Sequence, residues 1–170
     1  MKRSRLHGPR LLLFAGLVSL PAAEALAQSD LFLPLPAAAA SASKAAEPQR
    51  AMRKTLAAKP YVSRTQAALI NGEALKQSSL FLNLFPDKKV KVLFHQVKQE
   101  NQEAGESGGS REIRLGKAEN SPGSDVTLFI RDGSVSGRIA LDGRIYTINP
   151  AGEGVHVIAE IDPEKLPKED

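Results

Sequence analysis

Asp125-Val126-Thr127-Leu128-Phe129-Ile130-Arg131 runs into Asp132-Gly133, and Ser134-Val135-Ser136-Gly137-Arg138-Ile139-Ala140-Leu141 runs into Asp142-Gly143. Apolar and polar residues alternate along both runs, the period of a strand with one face turned inward. Asp-Gly suits the positive φ needed at both central positions of a type I′ turn, so each pair predicts a two-residue hairpin. A third run, Arg144-Ile145-Tyr146-Thr147-Ile148-Asn149, stops at Pro150. After Ala151-Gly152-Glu153-Gly154 a fourth, Val155-His156-Val157-Ile158-Ala159-Glu160-Ile161, stops at Asp162-Pro163. Residues 124–161 therefore predict a four-strand antiparallel meander, which needs no crossover helix.

Upstream of this meander the same periodicity continues. Residues 111–118 form a strand, and Asn120-Ser121-Pro122-Gly123 turns it into the next one. Residues 99–110 hold three glycines and three glutamates with hardly an apolar side chain, and are expected to be a flexible hairpin loop. In residues 89–97, Val90, Val92 and Phe94 point one way and Lys89, Lys91 and His95 the other. Residues 80–85 are apolar on both sides, with Leu80, Leu82 and Leu84 on one face and Phe81 and Phe85 on the other, until Pro86-Asp87 ends the run.

The N-terminal part is less regular. Ser63 is a candidate N-cap for a helix over residues 64–70, which Asn71-Gly72 would close. Residues 44–59 are expected to form a weak, mobile, basic helix stopped by Pro60, and residues 28–43 an extended linker. With about seven strands, the fold class is mainly β: a small antiparallel β-sandwich or half-barrel with a short N-terminal helix and a disordered or helical N-terminal arm.

The first residues carry an address. Lys2, Arg3, Arg5 and Arg10 precede an apolar stretch over residues 11–20, and Ala25-Leu26-Ala27 has the small-x-small form of a cleavage site. This predicts a secretory signal over residues 1–27, cut between Ala27 and Gln28, and hence a secreted or periplasmic protein. The apolar stretch is too short to serve as a stable membrane anchor. The expected organisation is then signal, linker and helix over 28–60, a β-rich domain over 61–162 and a polar tail over 163–170. The leader holds four of the 23 basic residues and one of the 19 acidic ones, so 19 and 18 remain and the mature chain is close to neutral. A nucleic-acid partner is not supported by that charge, nor by an aromatic content of 5% without tryptophan.

Catalytic patterns are absent from the residues. No cysteine occurs, which removes disulfides, thiolate zinc sites and cysteine nucleophiles. His7 lies in the leader, while His95 and His156 each sit in a predicted strand without a second ligand beside them, and no H-E-x-x-H is present. Gly116-Lys117-Ala118 lacks the upstream glycines and the hydroxyl of a phosphate loop, and Ser134-Val135-Ser136-Gly137 lacks the flanking glycines of a nucleophile elbow. The carboxylates Asp162, Glu164, Glu169 and Asp170 belong to a solvated tail. No catalytic residue, metal ligand or cofactor is therefore expected, and the chain is read as a non-enzyme.

Several pieces in order carry a family likeness: Leu82-Asn83-Leu84-Phe85-Pro86-Asp87, residues 116–122 leading into Ser124-Asp125-Val126-Thr127-Leu128, Gly133-Ser134-Val135-Ser136-Gly137-Arg138-Ile139, Tyr146-Thr147-Ile148, Gly154-Val155-His156 and Glu160-Ile161-Asp162. From Ser79 onward the chain resembles the N-terminal pro-region of secreted bacterial reprolysin-like zinc metalloproteases, including the peptidyl-Asp metalloendopeptidases. A cruder likeness extends to the pro-domains of ADAM proteases. The resemblance implies a region exported with its protease that helps it fold, keeps it inactive and is cut away. Its partner would be a zinc metalloprotease catalytic domain, covalently attached in relatives and here expected in trans or lost, because these residues contain no H-E-x-x-H-x-x-G-x-x-H. Such a domain would cover the cleft, offer it an extended strand, or place a carboxylate or imidazole on its zinc; steric contact through a sheet edge needs no special residue, and in the tail Asp162, Pro163 and Glu164 are the candidate protease-contacting residues. The alternative is a periplasmic or extracellular β-sandwich binding or adhesion module that shares only the scaffold.

Overall fold

A computed structural model describes residues 30–35, 47–101 and 110–167. Nine strands form one sheet: β1 (Phe32–Pro34), β2 (Val62–Ile70), β3 (Ser79–Phe85), β4 (Lys88–Asn101), β5 (Ser110–Ala118), β6 (Ser121–Arg131), β7 (Ser134–Leu141), β8 (Arg144–Pro150) and β9 (Val155–Ile161). Their spatial order is β1-β2-β9-β8-β7-β6-β5-β4-β3, with every neighbouring pair antiparallel. From β3 to β9 each strand pairs with the next along the chain. The ends of this sheet curl toward each other into a nearly closed barrel.

The closing seam is made by the chain's early residues. Asp30 forms a parallel bridge with Phe81, and the Leu31 amide donates to the Phe81 carbonyl at 2.9 Å. Beside it, the Asn83 carboxamide stands in for a strand: its Oδ1 accepts from the Phe32 N–H at 2.9 Å and its Nδ2 donates to the Phe32 carbonyl. On the other side β1 pairs with β2 from Phe32 opposite Ile70 to Pro34 opposite Ala68. Leu31 and Phe32 are fully enclosed, so five residues seal the gap that two strand edges would otherwise leave open.

Register explains the core. One inward row passes through Phe94, Gly116, Val126, Ile139, Tyr146, Glu160 and Arg64, and the next through Val97, Arg114, Leu128, Gly137, Ile148, Ile158 and Gln66. With Leu80, Leu82, Leu84 and Val92 from the far side, these apolar side chains fill the interior. Gly137 is required where it stands, since a Cβ there would lie 2.6 Å from the Thr127 carbonyl oxygen. The two hairpins have the expected geometry, with φ of 50° and 75° at Asp132-Gly133 and 51° and 72° at Asp142-Gly143.

Outside the barrel, helix α1 (Glu47–Ala57) lies across β2 and β9. Its inner side carries Gln49, Met52 and Leu56, one helical face by spacing. The surface beneath is made of small or slender side chains, Thr65 opposite Ala159 and Ala67 opposite Val157, which let the helix approach closely. Val157 and Ala159 are therefore buried although they face away from the barrel interior.

The mainly β antiparallel architecture and its C-terminal meander match the sequence expectation, while the N-terminal third corrects it. Residues 64–70 are part of β2, not a helix capped by Ser63, because pairing with β9 overrides the local preference. The expected linker over residues 28–43 contributes β1, so the folded unit begins well before residue 61. The basic helix is docked rather than loose. Phe85 also departs from its expected face: a bulge after Asn83 lets both Leu84 and Phe85 be buried.

Candidate functional site

At one end of the barrel the chain leaves β9 through Asp162. The backbone of this residue is tied back, its N–H donating to the Tyr61 carbonyl at 2.8 Å. Its carboxylate pairs with Arg144 at 2.7 Å and with Lys165 at 3.5 Å, and accepts from the Glu164 N–H at 3.2 Å. It thereby caps a 3-10 turn over Pro163–Lys165. The Arg144 guanidinium holds the Asp162 carboxyl below the usual carboxylate range. Of the three candidate contact residues, Asp162 is thus buried and engaged, Pro163 is half-buried and Glu164 is exposed. The expected cleavage residues Ala27 and Gln28 lie outside the described residues.

Beside this exit the barrel mouth is closed by a stack. Arg64 lies 4.0 Å over the Phe85 ring and reaches Glu160 at 2.8 Å and Asp87 at 2.7 Å, while Phe85 leans on Tyr146 with ring centroids 6.3 Å apart. Burial raises the Tyr146 phenol. The Arg64 hydrogen bond lowers Asp87. Arg64 thus joins the two carboxylates, Glu160 and Asp87, across the rim.

The histidines do not converge on a site. His95 is exposed on β4. His156 is 1% exposed, and its Nε2 accepts from the Val135 N–H at 3.0 Å while Nδ1 lies 3.1 Å from the Gly154 carbonyl. An amide donor on Nε2 and a carbonyl on Nδ1 fix the neutral Nδ1–H tautomer. The ring is needed because β7 and β8 separate beyond Gly137 opposite Ile148, which leaves Val135 without a ladder partner across from Pro150. Burial lowers the imidazole pKa, keeping the ring neutral. Among the described residues no group of three or more His, Cys, Asp and Glu side chains is placed to hold a metal ion.

The opposite end is organised by Arg114, which the sequence reading passed over. It lies on the inner face of β5, only 9% exposed, and its guanidinium binds Glu112, the Leu75 carbonyl and, at 3.1 Å, the Gln77 carbonyl. The 3-10 turn Ala74–Lys76 is thereby drawn over the barrel end, with Ala74 and Leu75 as its plug. Two residues further along β5, Gly116 lets β4 pack closely. At Gly116 a Cβ would sit 2.7 Å from the Leu93 carbonyl oxygen and 2.9 Å from the Phe94 ring. An arginine between the apolar Ile113 and Leu115, two residues after Glu112, was the available signal.

Pulling this turn inward leaves β4 uncovered on one side. A groove of about 330 Å³ separates Gln77 and Ser78 from Phe94, Val97 and Gln99, with Arg114 at its base. Val97 belongs to an inward row yet is 53% exposed.

Comparison with known proteins gives a partial match. Over 152 residues the chain is 27% identical to a peptidyl-Asp metalloendopeptidase of Xanthomonas campestris pv. campestris, a match covering 85% of this chain and 36% of that protein. The chain thus spans little more than a third of the relative's length. No family model matches, and no solved structure does.

Proposed function

We propose that this chain is a secreted, non-catalytic, pro-region-like domain that inhibits a zinc metalloprotease or assists its folding by surface contact alone. The observation that carries this reading is the partial match, in which most of this chain aligns with a minor part of a metalloendopeptidase. The filled barrel interior supports it, as do the local duties of two groups that sequence alone would offer as ligands. His156 serves the Val135 amide, and Asp162 serves Arg144 and the turn that follows. What remains for function is the outer surface and the strand edges.

The test is to refold the denatured catalytic domain of a peptidyl-Asp metalloendopeptidase with and without this protein, and to assay the active enzyme with the protein added afterwards. A higher refolding yield or a saturable loss of peptidase activity is expected. No effect in either assay would contradict the proposal and favour a binding module that shares only the scaffold.

A further inference from the structure

We propose that the free edge of β4 over residues 94–100 is the surface by which this domain holds its partner, taking an extended segment of the partner polypeptide as an added strand. This rests on the function proposed above, where that partner is the metalloprotease.

Register defines the edge. β3 pairs with β4 only as far as Ser79 opposite Leu93, whereas β4 continues to Asn101 and pairs with β5 all the way. Continued in register, the chain before β3 would have placed Ser78 opposite Phe94, Gln77 opposite His95 and Lys76 opposite Gln96. Arg114 instead draws this segment over the barrel end, and the groove beside Val97 lies where the missing strand would run. Among the described residues no strand pairs with β4 on that side beyond Leu93.

Such an edge selects its ligand by chemistry. Main-chain N–H and C=O groups facing outward call for another extended main chain. Seven residues at about 3.4 Å each give roughly 24 Å of edge, room for a strand of ordinary length. Val97 is a core-facing side chain without its flanking neighbour, and an added strand would cover it. Lys98 and Glu100 are the charged residues of the segment and oppose each other in sign, so a neutral main chain fits better than a charged surface. The choice of protease as donor comes from the aligned relative, in which the larger part of the polypeptide lies outside the matched region.

The test uses the full chain with two variants, Val97→Lys and Val97→Thr, assayed for inhibition of the catalytic domain and for hydrogen exchange. Val97→Thr keeps a β-branched side chain and is expected to inhibit like the wild type. Val97→Lys is expected to weaken inhibition about tenfold or more, because a charge then stands at the centre of the added strand. Its melting temperature should stay close to wild type, since the side chain already meets solvent. Amides within residues 94–100 should gain protection when the protease is added. Full potency in Val97→Lys, or an inhibited complex without that protection, would overturn the edge assignment while leaving the proposed function standing. Failure of the wild type to inhibit or assist folding would overturn both. Protection that appears with concentration in the absence of protease would assign the edge to a second copy of this chain and overturn the proposal.

Discussion

Replacing His156 is the sharpest probe of how this barrel is held together. In His156→Ala the Val135 N–H, fully buried, loses its acceptor. An orphaned buried amide costs about 2 kcal/mol, and the unfilled ring volume adds about 1 kcal/mol. The loss of about 3 kcal/mol corresponds to roughly 10 °C in Tm for a domain of this size. His156→Gln retains a carbonyl oxygen for Val135 and an amide for Gly154, so it should lose about 1 kcal/mol at most. Urea titrations followed by circular dichroism give both numbers.

The same residue sets a pH dependence with a definite sign. Burial holds the imidazole pKa below its ordinary value, so on acidification the unfolded chain takes up the proton first. Stability is complete above about pH 6.5, the unfolded value, and declines as pH falls from there toward the folded value. The glutamine variant should lack this decline below about pH 6.5, in the part that lies above the range in which carboxylates titrate. Equal unfolding midpoints for His156→Ala and wild type, or the same slope in the glutamine variant, would refute the structural role of this ring.

Other perturbations address other parts of the fold. Asn83→Ala removes both hydrogen bonds that the carboxamide makes to Phe32, and should cost about 1–3 kcal/mol, with amide exchange rising first at Leu31 and Phe32. Gly137→Ala forces a Cβ against the Thr127 carbonyl oxygen and the Leu128 side chain, and should lower the urea midpoint by an amount equivalent to about 1–3 kcal/mol. Asp162 and Asp87 have folded pKa values below their unfolded ones, so the stability they contribute is present above the ordinary aspartate range and is lost as pH falls through the folded values. Arg144→Ala should flatten the Asp162 share of that acid loss in a denaturation series across the acid range.

How much of this was legible in the sequence depended on distance along the chain. The meander from β6 to β9 is made of neighbours joined by tight turns, and Asp132-Gly133 and Asp142-Gly143 announce those turns locally. β2 was misread because its signals are not local. Ala67 and Ala68 are poor advertisements for a strand, but Ala67 and the slender Thr65 are what lets α1 lie on β2, and their pairing partners are Val157 and Ala159. β1 is too short and too close to prolines to show a period, and its place depends on Asn83, which lies 51 residues away. Helix α1 was recognisable, whereas its docking was not, since Gln49 on the buried face disguises the apolar stripe. At the candidate site the sequence drew attention to His156 and Asp162, both of which have structural employment. Arg114 and the bare edge of β4 emerged only once the register had shown where β3 stops.

The most direct measurement is a titration of this protein against the active catalytic domain of a peptidyl-Asp metalloendopeptidase, read by hydrolysis of an Asp-containing peptide in the presence of excess zinc. A contact inhibitor predicts a saturable fall in rate with a one-to-one endpoint, unaffected by the added metal. An unchanged rate at large excess, or a fall that zinc abolishes as it would for a chelator, would contradict it.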